Sequence, residues 1–157
     1  MKTKIQPGLG ELLRYVSELV EQGAEDQYRR MSLKYRARYT PVLRALQAGA
    51  TTVTDITART RLTQGAISQT VALLETDGLI SRHTVEDGRK SGIALTAAGR
   101  KLVAQLDQHW TVTFAAIEQL EKEIGHPLRA ALEAAATALE NENFAARLEA
   151  ARSHAFN

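Results

Sequence analysis

The chain has 157 residues, 44% hydrophobic and 24% charged, enough for one ordinary domain with its own core and too few for an added catalytic domain. It holds no cysteine, which excludes disulfides, thiolate metal sites and thiol-based sensing, and it shows neither a signal-like start nor a run of about 18 apolar residues, so a cytoplasmic location without membrane contact is expected. The net charge is only +2, but residues 1–39 and 40–101 each hold eight Lys and Arg against five Asp and Glu, and residues 102–157 hold four against eight, so the basic excess lies in the first two segments.

Leu9, Leu12, Leu13, Val16, Leu19 and Val20 recur at helical spacing and predict an amphipathic helix ending near Gly23, with one face in need of a partner. Tyr28, Met31, Tyr35 and Tyr39 then interleave with Arg29, Arg30, Lys34, Arg36 and Arg38. Two readings fit this stretch: a helix whose tyrosines pack while its cations sit in water, or one that contacts phosphate or lines a ligand. Thr40-Pro41 opens a short helix carrying Val42, Leu43 and Leu46, closed by Gly49.

Thr52-Val53-Thr54-Asp55 reads as a capping-box-like start to a helix of about two turns. After Arg61-Leu62, Thr63 caps a second helix on which Ile67, Val71 and Leu74 share one side, and Gly78 followed by Leu79 ends it. Residues 79–85 and 93–96 are short and partly β-branched, and the Asp87-Gly88 between them signals a hairpin with a polar tip. Thr96 caps a long helix with a seam of Val103, Leu106, Trp110, Ile117, Leu120 and Ile124. Past Gly125-His126-Pro127 comes an Ala-rich helix with Leu128, Leu132, Leu139 and Leu148, and Asn141-Glu142-Asn143 is a point of interruption.

Two short helices, a hairpin and a long helix, in that order, describe a winged helix-turn-helix with helical extensions. At Asp87-Gly88-Arg89, at Leu95-Thr96 with Gly99 beyond, at Thr52-Val53-Thr54-Asp55-Ile56, at Thr63, at Ile67-Ser68-Gln69 and at Leu74-Glu75-Thr76-Asp77-Gly78-Leu79-Ile80 the chain resembles the MarR family of bacterial regulators, over about residues 40–105. The resemblance implies a mainly α fold with a small β-hairpin wing: one MarR-like domain over 1–157, with the winged helix-turn-helix at about 40–101 and dimerisation helices at 1–39 and 102–157. It further implies that the helix from Thr63 enters the major groove of double-stranded DNA while Arg89, positioned by Asp87, enters the minor groove.

The chemistry of those positions agrees. Gln64, Ser68, Gln69 and Thr70 form the expected outward face of the reading helix, where glutamine can pair with adenine and hydroxyls can reach bases or phosphates, and Gly65 permits close backbone approach. A guanidinium at a hairpin tip exploits the negative potential of a narrow minor groove. No Lys or Arg occurs from Gln64 to Asp77, so cations must come from Arg44, Arg59, Arg61, Arg82, Arg89, Lys90, Arg100 and Lys101, with Arg61, Arg89 and Lys90 the preferred phosphate contacts.

The expectation is therefore a sequence-specific regulator acting as a homodimer on a pseudo-palindromic operator. By the family resemblance it is a repressor answering to a small aromatic or anionic effector, with Tyr35, Tyr39, His109 and Trp110 as pocket candidates. The alternatives are a winged-helix protein-interaction module and a ligand-gated activator using the same DNA surface. His83, His109, His126 and His154 lack His-x-x-x-His spacing, and no nucleophile elbow or phosphate loop occurs; no metal, cofactor or enzymatic activity is expected.

Overall fold

The computed structural model describes residues 3–84 and 91–156, in two compact units, Met1–Gln105 and Leu106–Asn157. The first unit begins with α1, Leu9–Arg30. It runs seven residues beyond the stop expected at Gly23, because that glycine keeps an ordinary helical φ inside the helix; the backbone reverses instead at Ser32, with φ 55°. There Ser32 N–H donates to Arg29 O (3.0 Å) and Leu33 N–H to Tyr28 O (2.9 Å), the bond pair that a glycine stop normally makes. The basic and aromatic stretch is accordingly not one helix. Residues 31–36 are irregular, and Ala37–Tyr39 form a 3-10 turn leading into α2, Thr40–Gln47.

The tyrosines nevertheless pack: Tyr28, Tyr35 and Tyr39 are buried, with edge-on rings 4.6 Å and 5.9 Å apart in sequence order. α2 ends at Gly49, φ 101°, where Ala50 N–H reaches back to Ala45 O at 2.9 Å. α3, Val53–Arg59, starts as expected: Thr52 Oγ1 accepts from Asp55 N–H at 3.0 Å, and the Asp55 carboxylate reaches back to Thr51 N–H at 3.1 Å. The first bond satisfies a donor that a helix start leaves open, and the second ties the residue before the cap to the first turn.

α4, Gln64–Thr76, is capped by Thr63, whose Oγ1 accepts from Ala66 N–H at 3.1 Å. Gly78, φ 73°, stops it, with Leu79 N–H on Leu74 O at 2.9 Å. Ile67, Val71 and Leu74 are fully buried, each stabilising the fold by about 1.5–3 kcal/mol; α4 packs against α2 and α3, whose Val42, Leu43 and Ile56 are fully buried as well. β1, Ile80–Thr84, and β2, Ser91–Leu95, pair antiparallel with Ile80 opposite Leu95 and His83 opposite Gly92. Ile93 N–H also donates to Thr51 O at 2.8 Å, so the hairpin is bonded to the start of α3 as well as continuous with α4.

Thr96 joins hairpin to helix: its Oγ1 donates to Gly78 O at 2.7 Å and accepts from Gly99 N–H at 3.1 Å. A side chain at Gly99 would run into the Leu79 carbonyl, which explains a glycine in the first turn of α5, Ala97–Ile124. The second unit holds the remainder of α5 with α6, Leu128–Asn141, and α7, Phe144–Phe156. The break between the last two falls at the Asn-Glu-Asn segment, where Asn143 Oδ1 caps α7 by accepting from Ala146 N–H at 2.9 Å. Arg129 fixes the turn between α5 and α6, bonding Glu121 through Nη2 at 2.8 Å while lying 5.7 Å over the Phe114 ring. No helix among the described residues is long and apolar enough to cross a membrane.

Candidate nucleic-acid interface

α3, the turn 60–63 and α4 form the helix-turn-helix, and β1 with β2 form the base of the wing. Gln64, Gly65, Ser68 and Gln69 are exposed on α4, and Arg61 is exposed in the turn before it. The Thr63 hydroxyl accepts the helix cap, leaving its proton for an acceptor outside. A Cβ at Gly65 would meet nothing within 4 Å, so no packing among the described residues demands glycine there.

Thr70 corrects the sequence expectation. It is 4% exposed, because it follows Ile67 by three residues and precedes Leu74 by four, which puts it on the packed side. Its Oγ1 accepts from Arg38 Nε at 3.4 Å. Applying the helical period to Thr70, as to its apolar neighbours, would have found this. Asp87, Arg89 and Lys90 lie outside the described residues.

Several cations offered for phosphate contact are already engaged. Arg59 donates to Asp55 Oδ1 and to Ala48 O, both at 3.0 Å, and it holds the Asp55 carboxyl below the usual range. Arg82 pairs with Glu75 at 3.2 Å, and Arg100 donates to Leu95 O at 2.9 Å. The C-terminal end of α4 is anchored by Tyr39, whose hydroxyl donates to Asp77 Oδ2 at 2.6 Å.

Of the four pocket candidates, Tyr35 and Tyr39 are core residues of the first unit. The Tyr35 hydroxyl lies 2.7 Å from Thr40 Oγ1, and the Tyr39 phenol is pushed up to about 12, by burial first and then by Asp77. In the second unit the His109 ring lies 3.3 Å from the Thr113 hydroxyl, and Trp110 is buried with its Nε1–H unpartnered.

The model of the MarR family matches residues 36–90, from the approach to α2 into the wing. That segment, the winged helix, is thus similar to the MarR family. Solved structures agree on the fold. The chain is similar to Staphylococcus aureus MepR in complex with DNA, at 23% identity and TM-score 0.65 over 85% of this chain and 99% of that one. The Mycobacterium tuberculosis regulator MosR, also in complex with DNA, matches at 18% identity and TM-score 0.70 over 86% and 98%. Bordetella bronchiseptica BpsR, whose DNA binding is regulated by 6-hydroxynicotinic acid, matches at 22% and 0.55 over 80% and 98%. No curated protein matches this chain.

Proposed function

We propose that this chain is a cytoplasmic, sequence-specific DNA-binding repressor that acts as a homodimer, without enzymatic activity. The observation that carries the proposal is the outward face of α4. A helix capped at Thr63 and packed through Ile67, Val71 and Leu74 presents Gln64, Ser68 and Gln69 to solvent, in a fold that MepR and MosR use on DNA. Amide and hydroxyl groups at those positions suit base edges in the major groove, with Arg61 and Thr63 beside them and Asp87, Arg89 and Lys90 at the wing.

Dimerisation is supported by apolar surface that one chain leaves bare: Leu9, Leu12, Leu13, Val16, Leu19 and Val20 are exposed along α1, and Leu132, Leu139, Phe144 and Leu148 along α6 and α7. Two reading helices related by a dyad would address half-sites about 10 bp apart.

The effector reading narrows to the second unit. The buried Trp110 Nε1–H lacks an acceptor among the described residues, a cost that a carboxylate or carbonyl of a small aromatic acid would offset, and BpsR is regulated by a ligand of that chemistry. His109 is its neighbour in sequence.

The test is fluorescence anisotropy with DNA from upstream of the protein's own coding region against scrambled duplex, with wild type and Arg89→Ala and with aromatic acids added. Preferred binding that weakens steeply with salt and drops on Arg89→Ala is the expected outcome. Binding indifferent to sequence and to Arg89 refutes sequence-specific reading, and affinity unmoved by every acid removes the effector.

A further inference from the structure

The reading helix carries no cation from Gln64 to Asp77, and Arg59, Arg82 and Arg100 are spent on internal partners. Arg38 is placed differently. It stands in the 3-10 turn before α2 and lies along the flank of α4, in an open groove lined also by Gln69, Ala72, Leu73 and Thr76. Its Nε is held on the buried Thr70 hydroxyl. The residue is exposed, and no ion pair occupies its guanidinium among the described residues. Tyr39, the next residue, is bonded to Asp77 at the end of the same helix, so the turn that carries Arg38 is fixed to α4 at two points.

A helix with its side chains is about 10–12 Å across and the major groove of B-DNA about 12 Å wide. A helix seated in that groove therefore brings its flanks against the two sugar-phosphate strands. A guanidinium anchored through Nε keeps its two terminal amino groups for a phosphate, which it can grip with two parallel bonds. Ala72 and Leu73 in the same groove offer an apolar floor for a deoxyribose.

We propose that Arg38 is a DNA-binding residue, gripping a backbone phosphate beside the reading helix. The proposal rests on the DNA-reading function proposed above. It gives the cation-free helix a cation on its flank from an element outside the helix-turn-helix and the wing, and it assigns Thr70 the work of aiming that cation rather than reading a base.

The experiment is the salt dependence of binding to a mixed-sequence duplex and to the upstream DNA, for wild type, Arg38→Gln and Arg38→Lys, with thermal melts of each. Arg38→Gln is expected to flatten the plot of log affinity against log salt by roughly one per protomer and to lower affinity about tenfold on both duplexes. Arg38→Lys keeps the slope but loses the fork, so its affinity falls in between. A wild-type slope retained in Arg38→Gln, whether or not its melting temperature falls, overturns the proposal and leaves the DNA-reading function standing. A wild type that binds neither duplex in a salt-dependent way overturns both.

Discussion

Gly65 is a residue for which packing among the described residues gives no reason. It sits in the first turn of α4 with empty space where a side chain would go, and glycine in a helix is less stable than alanine by about 0.5–1 kcal/mol. Gly65→Ala should therefore raise the unfolding free energy by up to that amount while weakening DNA binding, read by urea denaturation and anisotropy side by side. Unchanged affinity would remove Gly65 from the interface. Tyr39 is the opposite case, committed wholly to the fold. Its phenol is pushed up to about 12 from an ordinary value near 10, by burial first and then by its bond to Asp77. A raised value in the folded state means that the stabilisation is intact below about pH 10 and is lost as pH climbs towards 12. Tyr39→Phe should cost about 1 kcal/mol at neutral pH through the lost hydrogen bond and should show a shallower alkaline loss. The slope is reduced rather than abolished, because burial also raises Tyr28. Melting temperatures from neutral to alkaline pH check both.

Among the elements, α1 shows how a stop can hide. Glycine marks the ends of α2, α4 and α5 with φ of 101°, 73° and 72°, and those ends were readable. α1 passes through Gly23 and stops at Ser32, whose left-handed backbone costs a residue with a Cβ about 1 kcal/mol. Ser32→Gly should accordingly raise stability by about 0.5–1 kcal/mol, measured by urea denaturation; a loss would mean that the serine side chain has a role of its own. Helix starts were more legible than this stop, since Thr52, Thr63, Thr96 and Asn143 each accept from a backbone N–H three residues on.

For the whole molecule, the apolar stripe on α1 is exposed, with Leu19 at 51%, and is the surface that the proposed dimer would cover. The combined substitutions Val16→Asp and Leu19→Asp should shift the sedimentation mass from dimer to monomer and weaken binding to a two-half-site operator, with helical content retained. A wild type that sediments as a monomer at working concentration refutes the dimer. Reading two half-sites requires both heads on one duplex, so loss of the dimer should cost more affinity on paired half-sites than on one.

Sequence alone determined the elements whose signals are local. A threonine cap, a glycine in left-handed conformation and a run of apolar residues at one period act through neighbours three or four residues away, and they placed α2, α3, α4, the hairpin and the interruption between α6 and α7. Thr70 was within reach of the same period. Only the tertiary structure decided which cations find partners far along the chain. Arg59 pairs with Asp55 four residues back on its own helix, which is a local pattern. Arg82 and Arg38 look alike in sequence, yet Glu75 takes the first and Thr70, 32 residues away, holds the second along α4. A cation's partner across the fold is set by packing between elements, and no local pattern in the chain encodes it.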